Sequence, residues 1–228
     1  MSWFSDALGS SIGRKIMMAL TGLFLITFLT VHLAGNLQLL ANDGGKSFNI
    51  YSDFMAHNGF IQFVSKGNML IILIHVIVAL ILARKNKKAR PIDYKVNGAS
   101  SNSSWASRSM TLLGVLTLIF LLVHLRGFWY EMKFGIMPTT EIDGIEMHDS
   151  YAVVFEAYKS LLYVGFYVVA MIALGFHLWH GFASAFQTLG LNHTKYTPFI
   201  KGLGKTYAFV VAGLFAIIPI VLYVKSLA

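Results

Sequence analysis

Five stretches of this chain are apolar over about 20 residues or more, the length of helix that crosses a bilayer core. They run over 16–41, 63–83, 110–130, 158–186 and 207–224. Inside hydrocarbon a backbone amide has no water to bond, so each stretch must close its hydrogen bonds along itself, as a helix. Charged residues make up 12% of the 228, about half the share in a soluble domain. The expected fold class is an all-α integral membrane protein with five transmembrane helices, a single domain over 1–228. No cleavable signal peptide is expected, because the first apolar run is long enough to span. The fourth stretch is generous and is expected to begin as a helix outside the membrane near Ser150. Pro219 is expected to kink the fifth. The 84–109 connection, with its basic cluster and its small polar run at 98–104, reads as a flexible loop. There is no cysteine, which excludes disulfides and Cys-ligated clusters within this chain.

Five crossings place the N-terminus, the 84–109 loop and the 187–206 loop on one side. That side holds twelve basic residues, Arg14, Lys15, Arg84, Lys85, Lys87, Lys88, Arg90, Lys95, Arg108, Lys195, Lys201 and Lys205, against two acids, Asp6 and Asp93. The other side holds six basic residues and eight acids. Positive loops stay in the cytoplasm, so the N-terminus is expected inside. The net charge of +8 is then a topology signal, with a docking face for a cytoplasmic partner as its second use. It does not indicate nucleic acid.

Each of the first four stretches carries a histidine well inside it: His32, His75, His124 and His177. An ionisable side chain at membrane depth is costly and normally faces the bundle interior with a partner. A helix rises about 1.5 Å per residue, so position along a span gives depth. His32 and His124 lie past the middle of spans that run outward. His75 and His177 lie at or below the middle of spans that run inward. Two depth-matched pairs result, His32 with His124 outside and His75 with His177 inside. A six-coordinate haem iron needs two imidazoles at equal depth on different helices. A flat macrocycle also needs room beside its ligand, and a small residue follows each histidine by one turn: Gly35, Ala79, Gly127 and Gly181. His180, three residues after His177, is an alternative ligand or a propionate or packing partner. The bland reading of any one of them is an interhelical hydrogen bond or a proton relay. His148 and His193, in polar loops, read as solvated.

The strings VHLAGN around His32, VHLRGFW around His124 and GFHLWHG around His177, with the five-span order, resemble the dihaem cytochrome b membrane anchor, of the b558 family, found in succinate dehydrogenase/fumarate reductase. The resemblance spans essentially the whole chain. It implies two haem b groups as cofactors, held by the first and third and by the second and fourth histidines, and a bacterial cytoplasmic-membrane location. The implied partners are a flavoprotein subunit, an iron–sulfur subunit, membrane lipid and a quinone, with menaquinone the expected one. Some dihaem members carry a glutamate just before the fourth ligand; here those positions are Gly175 and Phe176, so a proton path through that carboxylate is not supported.

On this reading electrons pass between the iron–sulfur subunit and quinone through the inner and then the outer haem. No succinate chemistry is expected in this chain itself. Arg126 is the best outer cation for a haem propionate, with Arg14, Lys15, Arg84 and Arg108 as inner ones, each also readable as a simple interface anchor. Quinone reduction takes up protons, and the loop between the first two spans offers Asn36, Gln38, Asp53 and His57, for which surface solvation is the plain alternative. Two other readings remain open. A dihaem quinone-reactive anchor of a hydrogenase or formate dehydrogenase fits the same chemistry. A His-containing proton-coupled transporter would be colourless, and it expects acids within the spans, which are essentially lacking.

Overall fold

In the computed structural model, residues 9–89 and 104–228, together with Asp6, are described. Arg90, Asp93, Lys95 and nearly all of the 98–104 run fall outside the described residues. Five helices are long and apolar enough to cross a membrane: Ser11–Leu40, Gly59–Lys88, Met110–Phe134, Leu161–Thr188 and Thr197–Ser226. The first is helix α1 (Ser11–Asn36), capped by the Ser10 hydroxyl accepting from the Gly13 amide at 2.9 Å, and tightened at its end into a 3-10 turn over Leu37–Leu40. Helix α2 (Lys46–His57) is short and lies outside the spans; Asn58 then caps α3 (Gly59–Lys88) by accepting from the Ile61 amide. A short α4 (Trp105–Arg108) precedes α5 (Met110–His124), which passes through a π-helical turn at Leu125–Tyr130 into α6 (Glu131–Phe134).

The described part of the 84–109 connection is therefore the end of α3 and the short α4. The fourth stretch is two helices, α7 (Ser150–Ala157) and α8 (Leu161–Thr188), broken where Ser160 turns to cap α8. This matches the expectation of a helix outside the membrane near Ser150. Helix α9 (Thr197–Ser226) starts ten residues before its most apolar part and runs unbroken through buried Pro219.

One element among the described residues departs from an all-helical chain. Strands β1 (Thr139–Ile142) and β2 (Ile145–His148) form an antiparallel hairpin, with Thr139 opposite His148 and Ile142 opposite Ile145. Asp143 and Gly144 both have positive φ (54° and 81°), as the two-residue turn that follows strand twist requires.

Helix α8 is the centre of the bundle. It packs against α9, α1 and α5, while α3 leans on α1, and nine of its residues are buried. Its Val164, Tyr167, Met171 and Leu174 join Leu33, Phe128 and the α9 residues Val211, Ile218 and Leu222 in one core. Tyr207 ties α9 to α1, donating to the Ile26 carbonyl at 2.7 Å and meeting the Thr30 hydroxyl at 3.0 Å.

At the end of the bundle away from the N-terminus, α2, the hairpin and α7 form a cap. Asn49, 2% exposed, accepts from the Tyr151 amide at 2.8 Å and donates to Asp149 at 2.9 Å. The Ser52 and Ser150 hydroxyls meet at 2.7 Å, and Lys46 pairs with Asp143. The carboxylate of Asp43 accepts from the Gly45 and Ser47 amides, and its bond with the Ser47 hydroxyl holds it below the ordinary carboxylate range. Gly45 has φ +91°, and a Cβ there would overlap the Tyr151 ring. Gly45→Ala is therefore expected to cost about 1–2 kcal/mol for the left-handed backbone and about as much again for overpacking. A lower midpoint in thermal unfolding of the purified protein would show it.

Candidate cofactor site: histidines at two levels

His32 of α1 and His124 of α5 face one another across the bundle. Their ring centroids are 5.8 Å apart and their planes stand at 87°. Two imidazoles bound to opposite sides of one metal place their centres about 6 Å apart, since each nitrogen lies about 2 Å from the metal. The ring-to-ring spacing is that of two imidazoles sharing one metal. An aromatic collar surrounds the pair. Phe28 stacks on His32 at 5.3 Å and Phe215 of α9 approaches at 5.8 Å. Phe120, Phe128 and Tyr167 pack around His124. His124 is the last residue before the π-helical turn, a local widening of the helix that recurs at functional sites.

Tyr167 of α8, 4% exposed, places its hydroxyl 3.2 Å from His124 Nδ1 and 3.2 Å from the Tyr163 hydroxyl. Tyr158, just ahead of α8, completes the aromatic cluster at 5.3 Å from Tyr167. Burial pushes the Tyr158 pKa up, which keeps it neutral.

His75 of α3 and His177 of α8 form the second level, nearer the N-terminal end. The Thr21 hydroxyl of α1 lies 2.9 Å from His75 Nδ1. A Cβ on Gly22 would stand 3.6 Å from His75 Cε1, and one on Gly114 of α5 would stand 3.8 Å from His177 Cε1. His177 lies within electrostatic reach of His75 and His180, and its Nδ1 is buried without a hydrogen-bond partner among the described residues. The two levels keep one separation on three helices. Ten or eleven residues divide Thr21 and Gly22 from His32, and ten divide Gly114 from His124 and Tyr167 from His177. At 1.5 Å per residue that is about 15 Å.

Among the described residues no three His, Asp or Glu side chains gather as a metal site. A bare ion with protein ligands alone needs three or four. A pair of imidazoles suits a metal that brings its remaining ligands in a macrocycle. The His32–His124 spacing fits such a group.

The remaining sequence candidates scatter. His180 bonds the Ser184 hydroxyl through its Nε2 at 3.1 Å. Arg126 is exposed, pairs with Glu131 and lies over the Tyr130 ring. Arg14 keeps one guanidinium nitrogen buried without a hydrogen-bond partner among the described residues; Lys15, Arg84 and Arg108 are exposed. Asn36 donates to the His32 carbonyl at 2.8 Å and lies 3.5 Å from both nitrogens of that ring. Gln38 is half-buried in the 3-10 turn. Asp53 and His57 pair at 3.2 Å and line a cleft of about 550 Å³ between α2 and the hairpin, with Phe54, Ile142 and Met147. Asn36 and Gln38 are not among the residues lining it.

Two of the four small residues that follow the histidines by one turn, Gly35 and Gly127, do not face open space. The spaces beside Gly35 and Gly127 are filled by the Tyr51 ring and the Tyr163 hydroxyl, and Gly181 faces the Met110 methyl at 3.8 Å. The glycines that touch imidazoles are instead Gly22 and Gly114, each on another helix. Thr21 and Tyr167 carry no signal of their own in the sequence. A threonine bonding back to its own helix and a core tyrosine are ordinary there, so only the helix register exposes them.

Compared with known protein families, curated proteins and solved structures, the chain matches none.

Proposed function

We propose that the chain is the dihaem cytochrome b anchor of a succinate:quinone oxidoreductase, with one haem b between His32 and His124 and a second between His75 and His177. The observation that carries this reading is the His32–His124 pair, 5.8 Å apart and perpendicular in a collar of aromatic rings. The common interval between levels supports the second haem. When bound, the haems supply one-electron chemistry, and the protein supplies ligation, spacing and surroundings.

The residues of the chain have separable tasks. The four imidazoles hold and orient. Phe28, Phe120, Phe128 and Phe215 exclude water from the cap-side pair, lowering the local dielectric. Gly22 and Gly114 face the imidazoles of the other pair from neighbouring helices. The basic loops favour the N-terminal side as cytoplasmic, and they give the flavoprotein and iron–sulfur subunits a positive face to dock on. The cap then lies outside, where Asp53 and His57 in their cleft offer a carboxylate and an imidazole to a quinone that must take up protons.

The test is a reduced-minus-oxidised spectrum and a haem assay on the complex purified through this chain. The expected result is two b-type haems per chain, reducible by succinate, with flavoprotein and iron–sulfur subunits co-purifying. Two haems with hydrogenase or formate dehydrogenase subunits would change the partner and keep the site. An intact, porphyrin-free preparation would overturn the proposal and favour the transporter.

A further inference from the structure

We propose that Thr21 and Tyr167 are the positioning residues of the two haem sites, each bonding the Nδ1 of a ligand carried on another span, and that they set the two haem potentials separately. This rests on the dihaem reading above.

The Thr21 hydroxyl has a single proton. It donates that proton to the Met17 carbonyl at 2.7 Å, with the Met18 carbonyl at 3.2 Å. Toward His75 Nδ1, 2.9 Å away, the same oxygen can only accept. We assign the His75 proton to Nδ1 on this ground, the tautomer in which Nε2 keeps the lone pair a metal needs.

At the tyrosines the direction of each bond follows from ligation itself. Ligation by His124 through Nε2 requires a proton on Nδ1, donated to Tyr167 at 3.2 Å. Tyr167 then donates to Tyr163 at 3.2 Å, whose hydroxyl sits in the hollow beside Gly127.

Among the described residues the other member of each pair has no such acceptor. The amide nitrogen of Asn36, a donor, stands 3.5 Å from both nitrogens of His32, and His177 Nδ1 is buried without a hydrogen-bond partner. Each site thus has one imidazole oriented by a hydroxyl from a neighbouring helix and one held by packing. A hydrogen bond from Nδ1–H raises the basicity of the ligating nitrogen and favours the oxidised iron, holding the potential down.

The experiment is a potentiometric titration of the haem bands in the purified complex, each band assigned by its absence from His75→Ala or His124→Ala. Thr21→Val is expected to raise the midpoint of the His75 haem by about tenfold in the reduction equilibrium, 59 mV for one electron, and to leave the His124 haem unmoved. Thr21→Ser, which keeps the oxygen, is expected to restore it. Tyr167→Phe is expected to move only the His124 haem. Midpoints unmoved in both variants, with two haems retained, would overturn this inference and leave the dihaem reading standing, as would equal shifts of both haems in either variant. A wild-type complex without haem would overturn both. Should Tyr167→Phe fail to fold, the Val and Ser variants of Thr21 decide.

Discussion

Replacing His124 with alanine is expected to remove one haem of two and leave the other in place, and His32→Ala is expected to remove the same one. The pairing argument is geometric. The rings of His32 and His124 are 5.8 Å apart, whereas the level of His75 and His177 lies about 15 Å away along the same helices. Sites that far apart with no shared ligand behave additively. The double variant His32→Ala/His124→Ala should therefore hold one haem per chain, as each single variant does. The retained haem should keep its wild-type spectrum and midpoint. Bound haem stabilises the fold through mass action, so each variant should also melt at a lower temperature. Spectral haem content of the purified complexes checks the pairing. A variant of His32 that lost the same haem as a variant of His75 would mean the ligands pair within one side of the bundle, and the two-level arrangement would fall.

How far the sequence reaches differs between levels of structure. Bilayer thickness and backbone hydrogen bonding are non-specific constraints, so apolar length alone finds all five spans. It misplaces their ends, because a helix does not stop where charge begins. α3 continues through Arg84, Lys85, Lys87 and Lys88, long side chains that extend a helix toward water while covering apolar surface with their stems. Depth is equally legible, since a fixed rise per residue turns position into height; the meeting of His32 with His124 follows from it. Rotation about the helix axis is not legible. A glycine one turn from a histidine shares its face, but what fills that face comes from elsewhere in the chain: Tyr51 of α2 for Gly35 and Tyr163 of α8 for Gly127. Contacts between spans, such as Thr21 with His75, need the register of two helices at once. The hairpin has its own signal in Asp143-Gly144, which does not stand out among so many polar neighbours.

Choosing between His177 and His180 gives the second large effect. The two lie three residues apart on α8, about 60° around the helix, so both point broadly into the bundle. Their hydrogen bonds separate them. His180 uses its Nε2 on the Ser184 hydroxyl, one turn further along its own helix. His177 has a buried Nδ1 with no hydrogen-bond partner among the described residues, lies against Gly114 and is within electrostatic reach of His75. Ligating a metal through Nε2 would cost His180 its bond to Ser184, whereas His177 has no such bond to give up. His177→Ala is accordingly expected to lose the His75 haem completely, from two haems per chain to one. His180→Ala should retain both, with at most a small stability loss from the Ser184 contact, about 1 kcal/mol for one hydrogen bond. Haem assays on the two variants decide the matter. If His180→Ala were the variant that came out with one haem, then α8 would present its next turn to the metal and His177 would be a packing residue.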